Sequence, residues 1–85
     1  MAGYDYQFPE ELTLNNVLEI VEELKELLEN HQGSVFTVCS EKVQGVDVSG
    51  IQVILSCSKT LAADNKQFRL INISDSLEHA LKLNG

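Results

Sequence analysis

Val46-Asp47-Val48-Ser49-Gly50-Ile51-Gln52-Val53-Ile54-Leu55 is where a β-type run gives way to an apolar helix, and its reading decides the fold. Ser49 followed three residues on by Gln52 has the spacing of a capping box. The hydroxyl accepts from the Gln52 backbone N–H and the Gln52 side chain reaches back to the N–H of Ser49. Val48 and Val53 stand where a hydrophobic staple places its two apolar residues. Such a cap is worth about 1 kcal/mol. A helix start also presents free N–H donors and a partial positive charge, which favour a phosphate on the same hydroxyl. Ser49 is thus expected to be an N-cap, a phosphoacceptor, or both.

Working outward, Tyr4, Tyr6 and Phe8 alternate with polar residues, which predicts a short strand ended by Pro9. Thr13 is placed to cap a helix in which Leu14, Val17, Leu18, Val21, Leu24 and Leu28 share one face. That helix runs to about Asn30, with His31-Gln32-Gly33 as its stop. Ser34 to Ser40 is rich in Val, Phe and Thr and reads as a strand. A loop from Glu41 to Val46 leads to the second helix, with Ile51, Ile54, Leu55, Ser58, Leu61 and Ala62 as the inward stripe. Asp64-Asn65-Lys66 forms a turn and Gln67 to Ile73 the next strand. Asp75 with Glu78 makes a cap-like pair for a last helix carrying Leu77, Ala80 and Leu81. Strands alternating with helices predict an α/β layer, with helices packed against one small, mainly parallel sheet.

The chain has 85 residues, the length of one domain spanning 1–85 with an economical core. Hydrophobic residues at 44% and charged ones at 22% place it among soluble globules rather than disordered chains. Six Lys and Arg against thirteen Asp and Glu give a net charge of -7, which repels nucleic-acid phosphates and anionic membranes. No apolar run approaches the roughly 20 residues of a membrane span, and the N-terminus lacks the pattern of a signal peptide. A cytoplasmic location is the expectation.

Asp47-Val48-Ser49-Gly50-Ile51 resembles the Asp-Ser-Ser-Gly-Leu or Asp-Thr-Ala-Gly-Leu signature of STAS domains, the sulfate-transporter and anti-sigma-factor-antagonist modules. Phe8-Pro9-Glu10-Glu11-Leu12-Thr13 before a helix and Phe68-Arg69-Leu70-Ile71-Asn72 before the last one are similar to the short single-domain members, several of which accompany bacterial chemosensory genes. The resemblance implies a STAS-like α/β fold whose signature loop and following helix start, here Asp47, Val48, Ser49, Gly50 and Gln52, form an exposed partner-binding edge. In the phosphorylated branch the acceptor serine lies directly before the glycine, and that position is Ser49. The serine often found after the aspartate is replaced by Val48, and an Asp-Leu-Ser-like stretch by Cys39-Ser40-Glu41.

Two functions follow from the resemblance. One is an anti-sigma-factor-antagonist-like module that binds an anti-sigma factor of the serine-kinase type, or a related signalling partner, and releases it when Ser49 is phosphorylated. A phosphate would set close to two negative charges beside Asp47, weakening binding by repulsion and desolvation. The other is a constitutive adaptor subunit of a chemosensory or lipid-transport assembly, without phosphorylation. Either admits a homodimer.

Other patterns point to no further chemistry. Asp75-Ser76-Leu77 matches the tripeptide of carrier proteins that takes a phosphopantetheine arm, yet too few residues follow it for the helices such a protein needs. Glu19, Glu22, Glu23, Glu26 and Glu29 read as a solvated helix face. His31 and His79 have no metal-ligand spacing to other donors, and Cys39 and Cys57 read as buried free thiols. No nucleophile has a credible base and there is no glycine-rich phosphate loop. No cofactor, no metal and no enzymatic activity are expected.

Overall fold

The computed structural model describes residues 3–84. β-Branched and aromatic residues build strand β3 (Val35–Cys39), the centre of a three-stranded parallel sheet. Its neighbours are β1 (Tyr6–Gln7) and β5 (Gln67–Ile71), in the order β1-β3-β5. Tyr6 is in register with Val38, and Phe36 and Val38 with Phe68 and Leu70. These alternate side chains therefore share one face, and they pack in or against the core with helices α1 (Val17–Asn30) and α2 (Val48–Ala63). Helix α3 (Asp75–Asn84) docks against α2 through Leu77, which is fully buried. The expected α/β arrangement of helices on a small parallel sheet is what the chain adopts.

A second, two-stranded parallel sheet joins β2 (Glu11–Leu12) to β4 (Gly45–Val46). It lies inside what the sequence presents as loops. Its ladder is extended by hydrogen bonds from the Gln44 and Gly45 N–H groups to the Glu10 carbonyl, at 2.7 and 3.1 Å. Leu12 is completely buried and Val46 packs against the core, so this short pair seats the start of α2.

Several local expectations are corrected. Helix α2 starts two residues earlier than the capping-box reading requires: its N-cap is Asp47, and Ser49 is the second helical residue. The positions of a staple move with it to Val46 and Ile51, both apolar and both at the core. Asp47 prevails because its carboxylate satisfies donors on two elements at once, which a serine hydroxyl at position 49 does not reach. At α1, Thr13 caps a preceding turn instead of the helix. The Thr13 carbonyl accepts from the N–H groups of Asn16 and Val17, both at 3.0 Å, while the Asn16 side chain accepts from the Thr13 N–H at 3.1 Å.

That extra turn changes the buried stripe of α1 to Val17, Ile20 and Leu24, leaving Leu14 and Leu18 73% and 80% exposed. In α2, Val53 and Cys57 point inward where Leu55 and Ala62 were expected. The cap of α3 is Ser74, whose hydroxyl accepts from the Leu77 N–H at 3.1 Å; Asp75 is the first helical residue. Helix α2 is closed by Asn65, the residue after its C-cap Asp64, with φ 59°. The Lys66 N–H reaches the Leu61 carbonyl and the Asn65 N–H that of Ala62, a Schellman pattern with asparagine in the left-handed position.

Candidate functional site

Asp47 closes the end of β4 and opens α2, with extended backbone angles suited to a cap. One carboxylate oxygen, Oδ1, accepts from the Gly50 N–H at 3.0 Å. The other, Oδ2, accepts from the Leu14 N–H at 2.9 Å, across 33 residues of chain. The carboxyl is held below the usual aspartate range, chiefly by the Leu14 N–H and also by those of Gly50 and Ser49. Its backbone N–H in turn donates to the Leu12 carbonyl at 3.3 Å. Asp47 is therefore tied to β2, to the turn before α1 and to the first turn of α2.

Gly50 is required by a close approach. A Cβ on Gly50 would stand 2.9 Å from both the carbonyl carbon and the Cγ of Leu12, and closer still to the Leu12 carbonyl oxygen. The first turn of α2 lies directly on the backbone of β2, and only a residue without a side chain fits between them. Gly50 is buried, so its part in the signature is steric.

Val48, Ser49 and Gln52 occupy the outer side of the same turn. Val48 is 62% exposed, Gln52 is exposed and Ser49 half-buried. Among the described residues the Ser49 hydroxyl has no hydrogen-bond partner, so its lone pairs are not committed to a cap. Near Asp47, Glu11 accepts from Asn15 at 2.9 Å and from Thr13 at 2.7 Å, and those bonds, that of Asn15 first, hold its carboxyl below the usual range. Asp47 and Glu11 thus present two ionised carboxylates near exposed Leu14 and Val48.

On the other side of the loop a shallow groove of about 450 Å³ runs between the α2 start and α3. Val46, Asp47 and Val48 line one wall, and Ser76, His79, Ala80 and Leu83 the other. The structure therefore brings Asp47, Val48, Ser49, Gly50 and Gln52 to one edge. It adds three features that the sequence reading missed: the Leu14 backbone, the Leu12 carbonyl and the α3 wall. The signal for the first two lay in Glu11-Leu12, a two-residue step too short to be recognised as a strand.

Elsewhere the residues with reactive groups are structurally engaged. Cys39 and Cys57 are free and buried, and burial pushes the Cys57 thiol up to about 11. One His31 ring nitrogen lies 2.9 Å from the Val35 carbonyl, and the ring stands edge-on to Phe36. Among the described residues no group of three or more His, Cys, Asp and Glu is arranged to hold a metal ion. None of their helices is long and apolar enough to cross a membrane.

The STAS domain family model matches residues 4–85. The chain belongs to the STAS domain family. STAS domains are generally protein-interaction modules of the non-enzymatic, regulatory kind, related to anti-sigma-factor antagonists. No curated protein and no solved structure matches the chain.

Proposed function

We propose that residues 1–85 act as one anti-sigma-factor-antagonist-like unit, a bacterial, cytoplasmic, non-enzymatic switch whose partner binding is gated by phosphorylation of Ser49. The observation that carries this reading is the state of Ser49. Its hydroxyl is relieved of capping by Asp47, has no partner among the described residues, and sits in the first turn of α2 between exposed Val48 and buried Gly50. A kinase of the anti-sigma type, itself the partner or associated with it, would transfer the terminal phosphoryl group of a nucleoside triphosphate. The Oγ–P bond forms, the bond from that phosphorus to the nucleoside diphosphate breaks, and the hydroxyl proton passes to a base on the kinase. The product carries close to two extra negative charges beside Asp47 and Glu11, and a strongly hydrated group next to Val48. Both raise the cost of burying this edge against a partner.

A second reading is supported by Val48. An exposed valine where a serine is common suits an edge that stays bound through apolar contact, as in a constitutive adaptor of a chemosensory or lipid-transport assembly.

Intact mass of the protein from its own host, with fragmentation to place any phosphate, separates the two. Phosphate on Ser49, together with a Ser49→Ala variant locked in the binding form, supports the switch. Unmodified protein across growth and stress conditions overturns it in favour of the adaptor.

A further inference from the structure

Asp47 has two roles that meet in one carboxylate. Oδ1 holds the first turn of α2 through Gly50, and Oδ2 holds the Thr13–Asn16 turn through the Leu14 N–H. The second contact is the only side-chain bond among the described residues that links that turn to α2 or its cap. The turn carries Leu14, 73% exposed, and leads into Leu18, 80% exposed one helical turn later. Ser49 lies two residues from Asp47, and its N–H helps to hold that carboxyl below the usual range.

We propose that Asp47 is a positioning residue that transmits the state of Ser49 to the Leu14 turn: a phosphate on Ser49 takes over the N–H donors at the start of α2, repels the Asp47 carboxylate, and releases the Leu14 N–H. This rests on the phosphorylation reading above and names how the modification acts. A phosphate bound to Oγ is tethered at the helix start, bears more charge than a carboxylate, and has three acceptor oxygens for the Ser49 and Gly50 N–H groups. Two anionic groups competing for those donors cannot both keep them without strong repulsion. The carboxylate moves away, and the turn loses its side-chain hydrogen bond to the start of α2. The modification thereby alters a surface more than thirty residues away in sequence, while Gly50 stays capped by the phosphate.

The test needs no partner or kinase. Protein carrying phosphoserine at 49, made by semisynthesis, is compared with unmodified protein by ¹H–¹⁵N NMR and amide hydrogen exchange. A carboxylate-bonded amide shows a proton resonance that follows the ionisation of that carboxylate, and the Leu14 amide is expected to do so in the unmodified protein. In the phosphoserine protein that acid titration is lost and Leu14 exchanges at least about tenfold faster, while the Gly50 amide stays protected. Asp47→Asn keeps one acceptor oxygen for the Gly50 cap but presents an NH₂ group to Leu14, so it loses the Leu14 signature with the fold intact. Phosphoserine in that background produces no further change at Leu14. A Leu14 amide equally protected and still titrating in the phosphoserine protein overturns the coupling. Absence of phosphate in the host overturns the switch and leaves the NMR result standing, so the two failures are distinct.

Discussion

Replacing Gly50 by alanine tests the close approach on which the site is built. The added Cβ meets the Leu12 carbonyl carbon and Cγ at 2.9 Å and overlaps the Leu12 carbonyl oxygen. Ordinary carbon contacts begin near 3.5 Å, so helix and strand must separate by roughly 1 Å. The obstacle is backbone, already committed to pairing with β4 and to the Asp47 N–H, so rotamer changes do not relieve it. Overpacking of this kind costs about 1–3 kcal/mol. Loss of the Asp47 to Leu12 hydrogen bond adds about 1 kcal/mol, and the better helix propensity of alanine returns about 1 kcal/mol. A net destabilisation of about 1–3 kcal/mol lowers Tm by roughly 4–24 °C in a domain of this size. The assay is thermal unfolding followed by far-ultraviolet circular dichroism, with Gly45→Ala as control. A Cβ there meets only Glu11 Cγ, at an ordinary 3.7 Å. If Gly50→Ala melts within about 4 °C of the parent, the shift of 1 kcal/mol or less, the steric account is wrong.

Further outcomes are expected. Asn65→Ala, at the left-handed end of α2, destabilises by about 1 kcal/mol, read as a lower urea midpoint with unchanged m; Asn65→Gly is tolerated. Asp47 and Glu11 have carboxyls lowered from 3.8 and 4.5, so their contribution to stability is present above those values and declines as pH falls toward the lowered folded ones. Asp47→Asn therefore flattens the acid limb of a stability–pH curve below about pH 4, and an unchanged limb contradicts the assigned bonds. Cys57, buried and raised to about 11, and Cys39, also buried, react with a thiol reagent at pH 8 only at the rate of unfolding; rapid labelling of either in native protein refutes the packing.

The five longer elements were legible because each carries its period over enough residues. Val17, Val21, Leu24 and Leu28 repeat as a helix does, and Ser34 to Ser40 is rich in the Val, Phe and Thr of a strand. β2 and β4 were not legible because two residues hold no period. The cap of α2 was misplaced because Asp47 and Ser49 are both good capping residues at neighbouring positions, and the contact that decides between them is made to Leu14, far away in sequence. The same blind spot put Leu14 and Leu18 on the buried face: the Thr13–Asn16 turn shifts the start of α1, and its tie to Asp47 does not show in periodicity. Gly50 is plain in the sequence, but the Leu12 backbone that crosses it is not, since nothing in a glycine tells which segment lies against it.

The β2–β4 ladder has a kinetic consequence. It pairs Glu11 with Gly45 and Leu12 with Val46, so closing it encloses α1 and β3 in one loop. Local helix contacts form without that closure, and the ladder repays the loop entropy with few hydrogen bonds. The β2–β4 edge is therefore expected to assemble late in folding. The surface is stitched from segments more than thirty residues apart, so its integrity reports whether the distant halves of the chain have closed on one another.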